Sequence, residues 1–162
     1  MEEYKFTAKD REFMQKAIDL SIENVAEGGG PFGAVIVRDD TIIATGTNRV
    51  TANNDPTAHA EVSAIREACA KEQSFKLMDC TCYTSCEPCP MCLSALYWAG
   101  IKRIVYGNTK EDAKAINFDD SFIYDEIAKP YAQRAIPCHN LMRDEALAGF
   151  RAWTEKTDKI EY

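Results

Sequence analysis

Two short stretches constrain this chain more than anything else in it: "HAE" at 59–61 and "PCPMC" at 88–92. Each stands where a helix is about to begin. Asp55-Pro56-Thr57 precedes the first and Pro88 opens the second; proline suits a helix start because its missing N–H costs nothing there. Cys89 and Cys92 are spaced i,i+3, so both sulfurs leave the same side of a first turn. The positive end of the helix dipole favours thiolate over thiol, and thiolate is the form that binds metal. One nitrogen and two sulfurs on two helix starts require a fold that brings those starts together. Three protein ligands with a fourth position open is the layout of a catalytic zinc site, with a water there made acidic; structural sites usually close with four. Glu61 is the neighbouring group able to move a proton. In a regular helix, residues two apart lie about 200° around the axis. His59 and Glu61 therefore reach one site only if His59 sits in the very first turn or just before it.

Other readings of the cysteines explain less. "CEPCPMC" opens like an iron–sulfur cluster motif, but the closing C-x₃-C-P cysteine is absent, with Leu96 and Tyr97 in that region. A Cys86/Cys89 dithiol leaves His59 and Glu61 unexplained. Seven cysteines, an odd number, and an opening without a secretory pattern suit a reducing, cytoplasmic setting, not a disulfide framework. Cys69, Cys80, Cys82 and Cys138 read as core residues, and His139, the second of two histidines, as packed or surface-lying. "GGGPFG" lacks the Lys-Ser/Thr ending of a phosphate loop and precedes a strand; its glycines let backbone pass close to a ligand or helix.

The remaining pattern is that of an α/β layered fold with a mixed sheet, in one domain over residues 1–162. At 162 residues, 46% hydrophobic and 28% charged, the chain can bury a core, and no apolar run approaches a membrane span. A net charge of −7 argues against a nucleic-acid partner, which would need Lys and Arg against phosphates; a small ligand suits it better. A first helix starts after Thr7, with Asp10 at capping-box spacing and an apolar stripe of Met14, Ile18, Ser21/Ile22 and Val25. A hairpin turns at Asp39-Asp40. Ala58, Val62, Ile65 and Cys69 share a face of the second helix. Cys89, Cys92, Leu96 and Ala99 share a side of the third, which Gly100 caps. "CTCYT", "KRIVYG" and "AIPCHNLM" read as strands, residues 111–129 as short helical pieces, and "DEALAGFRAWTEK" as a last helix. Tyr97 and Trp98 read as core. "NFDDSF" reads as a turn with Asp120 or Ser121 as helix N-cap.

H-x-E followed by P-C-x-x-C is the signature of zinc nucleobase deaminases. With it, "GGPFGAVIV", "NDPTAHAEV", "YTSCEPCPMC", "YWA", "FDDSFIYDEIAKP" and the terminal "FRAW…EY" make the chain resemble the cytidine deaminase superfamily over nearly its whole length. Within that superfamily it is similar to the bacterial guanine deaminases. The resemblance implies a three-layer α/β/α sandwich on a mixed five-stranded sheet. It also implies a homodimer in which a C-terminal segment, about residues 140–162, is exchanged to close the partner's site. One zinc per subunit would be held by His59, Cys89 and Cys92, leaving Cys86 outside the metal shell, with Glu61 as proton shuttle. Asn48, Ala60 and Asp120 would contact the purine, and Asp120 would share in proton transfer. Phe32 and Trp98 would pack around the ring and Tyr162 would cover it. The implied reaction is hydrolysis of guanine to xanthine and ammonia. Guanosine, an aminotriazine such as ammeline, cytosine and adenosine in tRNA are rival substrates, and a non-catalytic zinc interaction module is the rival from another class.

Overall fold

The computed structural model describes residues 4–162. By internal contacts the chain divides into two compact units, the first running to Phe122 and the second Ile123–Tyr162.

The first unit is built on four strands: β1 (Gly33–Arg38), β2 (Thr41–Thr47), β3 (Thr81–Cys86) and β4 (Arg103–Asn108). Their order is β2-β1-β3-β4. β1 runs antiparallel to β2 and to β3, and β3 runs parallel to β4, so the sheet is mixed as expected. The hairpin turns at Asp39 and Asp40, both left-handed (φ 47° and 57°). That backbone is usually supplied by Asn-Gly, and Asp tolerates it because its short polar side chain bonds locally.

Alternation along β1 divides the core. Ala34 and Ile36 pack on one face with α3 (Ala60–Glu72) and α4 (Pro90–Ala99), beside Ala64, Ala68, Cys82 and Leu96. Val35 and Val37 pack on the other face with Phe13 and Ala17 of α1 (Ala8–Ala26) and with Tyr83 and Val105. Two helical layers thus enclose one sheet. On the α3 side the approach is unusually close: a Cβ on Gly46 of β2 would stand 2.1 Å from the Ala60 carbonyl oxygen. Only glycine allows that contact, and it pins the first turn of α3 to the sheet.

Several expectations are corrected: Tyr97, Trp98 and Cys138, read as core, are exposed. The described residues form four strands, not five; residues 135–142 carry no regular structure, and Ile136 and Leu141 are exposed. Alternation alone does not make a strand without a ladder partner, and Pro137 has no N–H to offer one. The buried face of α1 is also rotated from the predicted stripe. Phe13, Ala17, Ser21 and Asn24 are buried, while Ile22 and Val25 are exposed at 63% and 52%. Small residues are favoured where a helix lies close to a strand, so the largest apolar side chains do not mark the packed side.

The second unit holds most of α6 (Ser121–Ala128), a 3₁₀ turn at Tyr131–Gln133 and α7 (Arg143–Glu155). The Arg134 guanidinium donates to the carbonyls of Ile127 and Lys129, both at 3.1 Å, and ties that turn together. No helix among the described residues is long and apolar enough to cross a membrane.

The start of α1 is fixed by a buried polar cluster. Thr7 and Asp10 form the expected capping box, and the other Asp10 oxygen accepts from the Tyr83 hydroxyl at 2.6 Å and from Arg103. Burial works against the Asp10 charge, but bonds from Tyr83, Thr7 and Arg103 outweigh it and hold the carboxyl well below the usual carboxylate range. A lowered native pKa gives stability that is present above the unfolded-state value near 4 and lost as pH falls below it. Asp10→Asn is expected to cost about 2 kcal/mol in urea unfolding at neutral pH. The gap to the parent should narrow below about pH 4, where the unfolded carboxyl protonates.

Candidate active site

His59 and Cys89 occupy equivalent positions on two helices. Each is an N-cap with extended backbone, at φ −71°, ψ 161° ahead of α3 and φ −64°, ψ 167° ahead of α4. This resolves the two-residue spacing of His59 and Glu61. His59 lies just outside the helix, so the 100° step of a helical residue does not separate it from Glu61. Pro90, not Pro88, fills the first helical position of α4. Cys92 follows at the third, and its backbone N–H points to the Cys89 sulfur at 3.5 Å.

The two helix starts meet. His59 Nδ1 lies 3.5 Å from Cys89 Sγ and 3.6 Å from Cys92 Sγ. The three donor atoms all fall within 4.8 Å of one another. The Cys92 thiol, the His59 ring and the Cys92 N–H hydrogen-bond to Cys89 and hold it well below the usual thiol range, against its burial. The bond with Cys89, then burial, pushes Cys92 up, and the bond with Cys89 raises His59. A cation would replace the shared protons with one charge facing all three donors. One imidazole nitrogen and two soft sulfurs suit zinc in kind and number and leave room for a fourth ligand.

Glu61 is buried at 6% exposure, and its Oε1 accepts from the Thr84 hydroxyl at 2.9 Å. Burial raises its carboxyl above the ordinary range. Cys86 ends β3, buried, with its thiol directed at the Thr109 carbonyl at 3.6 Å; burial pushes it up to about 11. It lies outside the donor cluster, although it helps line the adjoining cavity.

A cavity of about 610 Å³ opens on His59, Glu61 and Cys89. Of the expected purine contacts, Phe32, Asn48 and Asp120 line it. The other three are not among its lining residues. Ala60 is fully buried in the first turn of α3 beneath the lining, and Trp98 is 66% exposed on α4 and does not line the cavity. Tyr162 belongs to the second unit and is exposed. Phe118 meets Phe32 edge-on, with centroids 5.0 Å apart, so the cavity has an aromatic corner that sequence reading missed. The paired acids divide their work. Asp119, not Asp120, makes the turn that starts α6, accepting the Ser121 N–H at 3.0 Å and pairing with Lys114 at 3.1 Å. Asp120 Oδ1 is buried without a hydrogen-bond partner, and burial, then the Cys89 sulfur, raises its carboxyl.

Comparison with known proteins gives these residues a context. Residues 7–108 match the family model described as the cytidine and deoxycytidylate deaminase zinc-binding region. A curated guanine deaminase of Bacillus subtilis (strain 168) is 54% identical over 151 residues, covering 93% of this chain and 97% of its own. A solved structure of guanine deaminase from Bacillus subtilis superposes with a TM-score of 0.92 at 53% identity, covering 94% of this chain and 98% of that one. A tRNA-specific adenosine deaminase of Buchnera aphidicola subsp. Schizaphis graminum is 38% identical over 106 residues, 65% of this chain and 70% of its own.

Single replacements of His59, Cys89 or Cys92 by Ala should lose the bound metal in atomic emission analysis, whereas Cys86→Ala should keep it. Thr84→Val should also keep the metal but lower turnover on the order of tenfold, because the Glu61 carboxylate loses a buried bond.

Proposed function

The chain belongs to the cytidine and deoxycytidylate deaminase family, and on that premise we propose that it hydrolyses guanine to xanthine and ammonia. One observation carries the choice of substrate. Asp120 lines the cavity that also opens on Glu61, His59 and Cys89, and its Oδ1 is buried without a hydrogen-bond partner. An acid acceptor suits the N–H edge of guanine, which offers adjacent donors, and leaving it unpaired would cost free energy. The Phe32 and Phe118 rings supply the apolar surface a flat purine needs. Similarity to guanine deaminases along nearly the full length points the same way.

His59, Cys89 and Cys92 would hold the zinc, which would make a bound water acidic near neutral pH. Glu61 would take one proton from the water as its oxygen adds to C2 and pass that proton to N3. It would then take the proton of the new C2 hydroxyl and deliver it to the amine, so that the C2–N bond breaks, ammonia leaves and the C2 carbonyl forms. Thr84 holds one Glu61 oxygen in place, so the carboxylate need not search for its position during transfer. Asp120 and Asn48 orient the ring, and Phe32 packs against it.

Two coarser matters belong to the same reading. A cytoplasmic setting fits seven cysteines that are all unpaired. A homodimer with an exchanged segment near residues 140–162 fits the exposed apolar side chains, Tyr97 and Trp98 in the first unit and Leu141, Phe150 and Ile160 in the second. Light scattering on the purified chain should return twice the monomer mass.

In an ammonia-release panel of guanine, guanosine, ammeline, cytosine and an adenosine-bearing tRNA stem-loop, guanine should be fastest. Turnover of the stem-loop or of cytosine with guanine untouched would overturn the assignment. No turnover of any compound by the zinc-loaded protein would favour a non-catalytic zinc module. Glu61→Gln should retain zinc and lose on the order of 10²–10⁴-fold in rate.

A further inference from the structure

The cavity wall is made by backbone segments that are distant in sequence. One is the loop Gly28–Gly30 with Phe32, and the other is the stretch carrying Asn48. One side chain that does not line the cavity bridges them, in addition to the backbone bond from the Asn48 N–H to the Phe32 carbonyl. Asn24, in the last turns of α1, is 1% exposed, and its Nδ2 donates to the Gly30 carbonyl at 2.7 Å and to the Asn48 carbonyl at 3.0 Å. Both neighbours are acceptors, so the amide orientation is determined by them: nitrogen must face them. Its Oδ1 is buried with no partner. Donation to two carbonyls is therefore the polar work the side chain does here.

The loop is shaped around this residue. The Gly29 N–H donates to the Asn24 carbonyl at 2.8 Å. A Cβ on Gly29 would stand 2.3 Å from Asn24 Nδ2, so the loop lies directly on the amide. The Phe32 N–H returns to the Gly30 carbonyl at 2.8 Å, and the Asn48 N–H donates to the Phe32 carbonyl at 3.2 Å. Asn48 then turns its own Oδ1 to the Val50 N–H at 3.3 Å. Every link in this chain ends on a residue of the cavity wall, and Asn24 is the one member held away from it by a helix.

We propose that Asn24 is a positioning residue for purine recognition. Its amide holds the Phe32 loop and the Asn48 segment at a fixed separation before the ring enters. The inference rests on guanine as substrate only for its kinetic readout. Loss of the donor should leave the metal and Glu61 in place while the wall loosens, so binding suffers more than chemistry.

The test uses the full-length zinc-loaded protein and Asn24→Ala, Asn24→Asp and Asp10→Asn. Asp10→Asn loosens the far end of the same helix without touching the wall. Both Asn24 variants should raise KM for guanine on the order of tenfold, as expected for buried carbonyls left unpaired, with kcat changed less than about threefold. Amide hydrogen exchange at Phe32 and Asn48 should quicken in both, and Asp10→Asn should show neither effect. A parental KM in Asn24→Asp, which keeps the volume but not the amide donor, would overturn the proposal. So would an equal rise in KM in Asp10→Asn. If the parent protein does not turn guanine over, the substrate assignment fails, and hydrogen exchange alone decides: unchanged protection of Phe32 and Asn48 would refute the role of Asn24. Should Asn24→Ala not fold, Asn24→Asp carries the same comparison.

Discussion

Two helices begin within a hydrogen bond's reach of each other, and the site depends on that meeting. His59 and Cys89 are both N-caps, and their donor atoms lie 3.5 Å apart. An N-cap side chain already points back over the helix start, toward the positive end of the dipole. Placing a ligand at each cap therefore aims two ligands at one point and favours thiolate there. Cys92, the third residue of α4, adds the third donor from the same turn. Glu61 enters from the first turn of α3 for the same reason.

The sheet makes this meeting possible. The α3 start is pressed on β2 at Gly46, where any side chain would collide with the Ala60 carbonyl. α4 follows directly from the end of β3, and the parallel β3–β4 pair fixes where it must cross. Both helices share the core face made by Ala34, Ile36, Ala44 and Cys82. On the opposite face, α1 is anchored at its start by Asp10, Tyr83 and Arg103 and reaches the cavity at its other end through Asn24. The two layers thus support different parts of the cavity. One carries Glu61 and the cluster of His59, Cys89 and Cys92, and the other supports the wall at Gly30 and Asn48.

Much of the donor set was legible in the sequence because its requirements are local. Spacing within a turn, a proline at a helix start and a cap position leave marks over a few residues. The hairpin at Asp39-Asp40 and the capping box at Thr7 were visible on the same grounds. What failed depended on distance in space. The buried side of α1 follows from its closeness to β1, which selects Ala17 and Ser21 over Ile22 and Val25. The missing strand at 135–142 lacks a ladder partner, which no local pattern reveals. Asp119 and Asp120 are adjacent and chemically identical and both line the cavity, and only the fold shows that Asp119 makes the turn while Asp120 keeps a buried oxygen without a partner. Phe118, Thr84 and Asn24 were missed because each acts on a residue far along the chain. The one sequence hint was the triple glycine, which predicted a close backbone approach without naming its partner.

His59, Cys89 and Cys92 should hold zinc with two sulfurs and one nitrogen and leave a fourth position for a small oxygen ligand. X-ray absorption at the zinc edge, on full-length protein carrying one zinc per chain, tests it directly. Two sulfur neighbours at about 2.3 Å, one imidazole nitrogen at about 2.0 Å and one further light ligand are expected. A third sulfur at that distance would bring Cys86 into the shell, close the site and rule out this donor set.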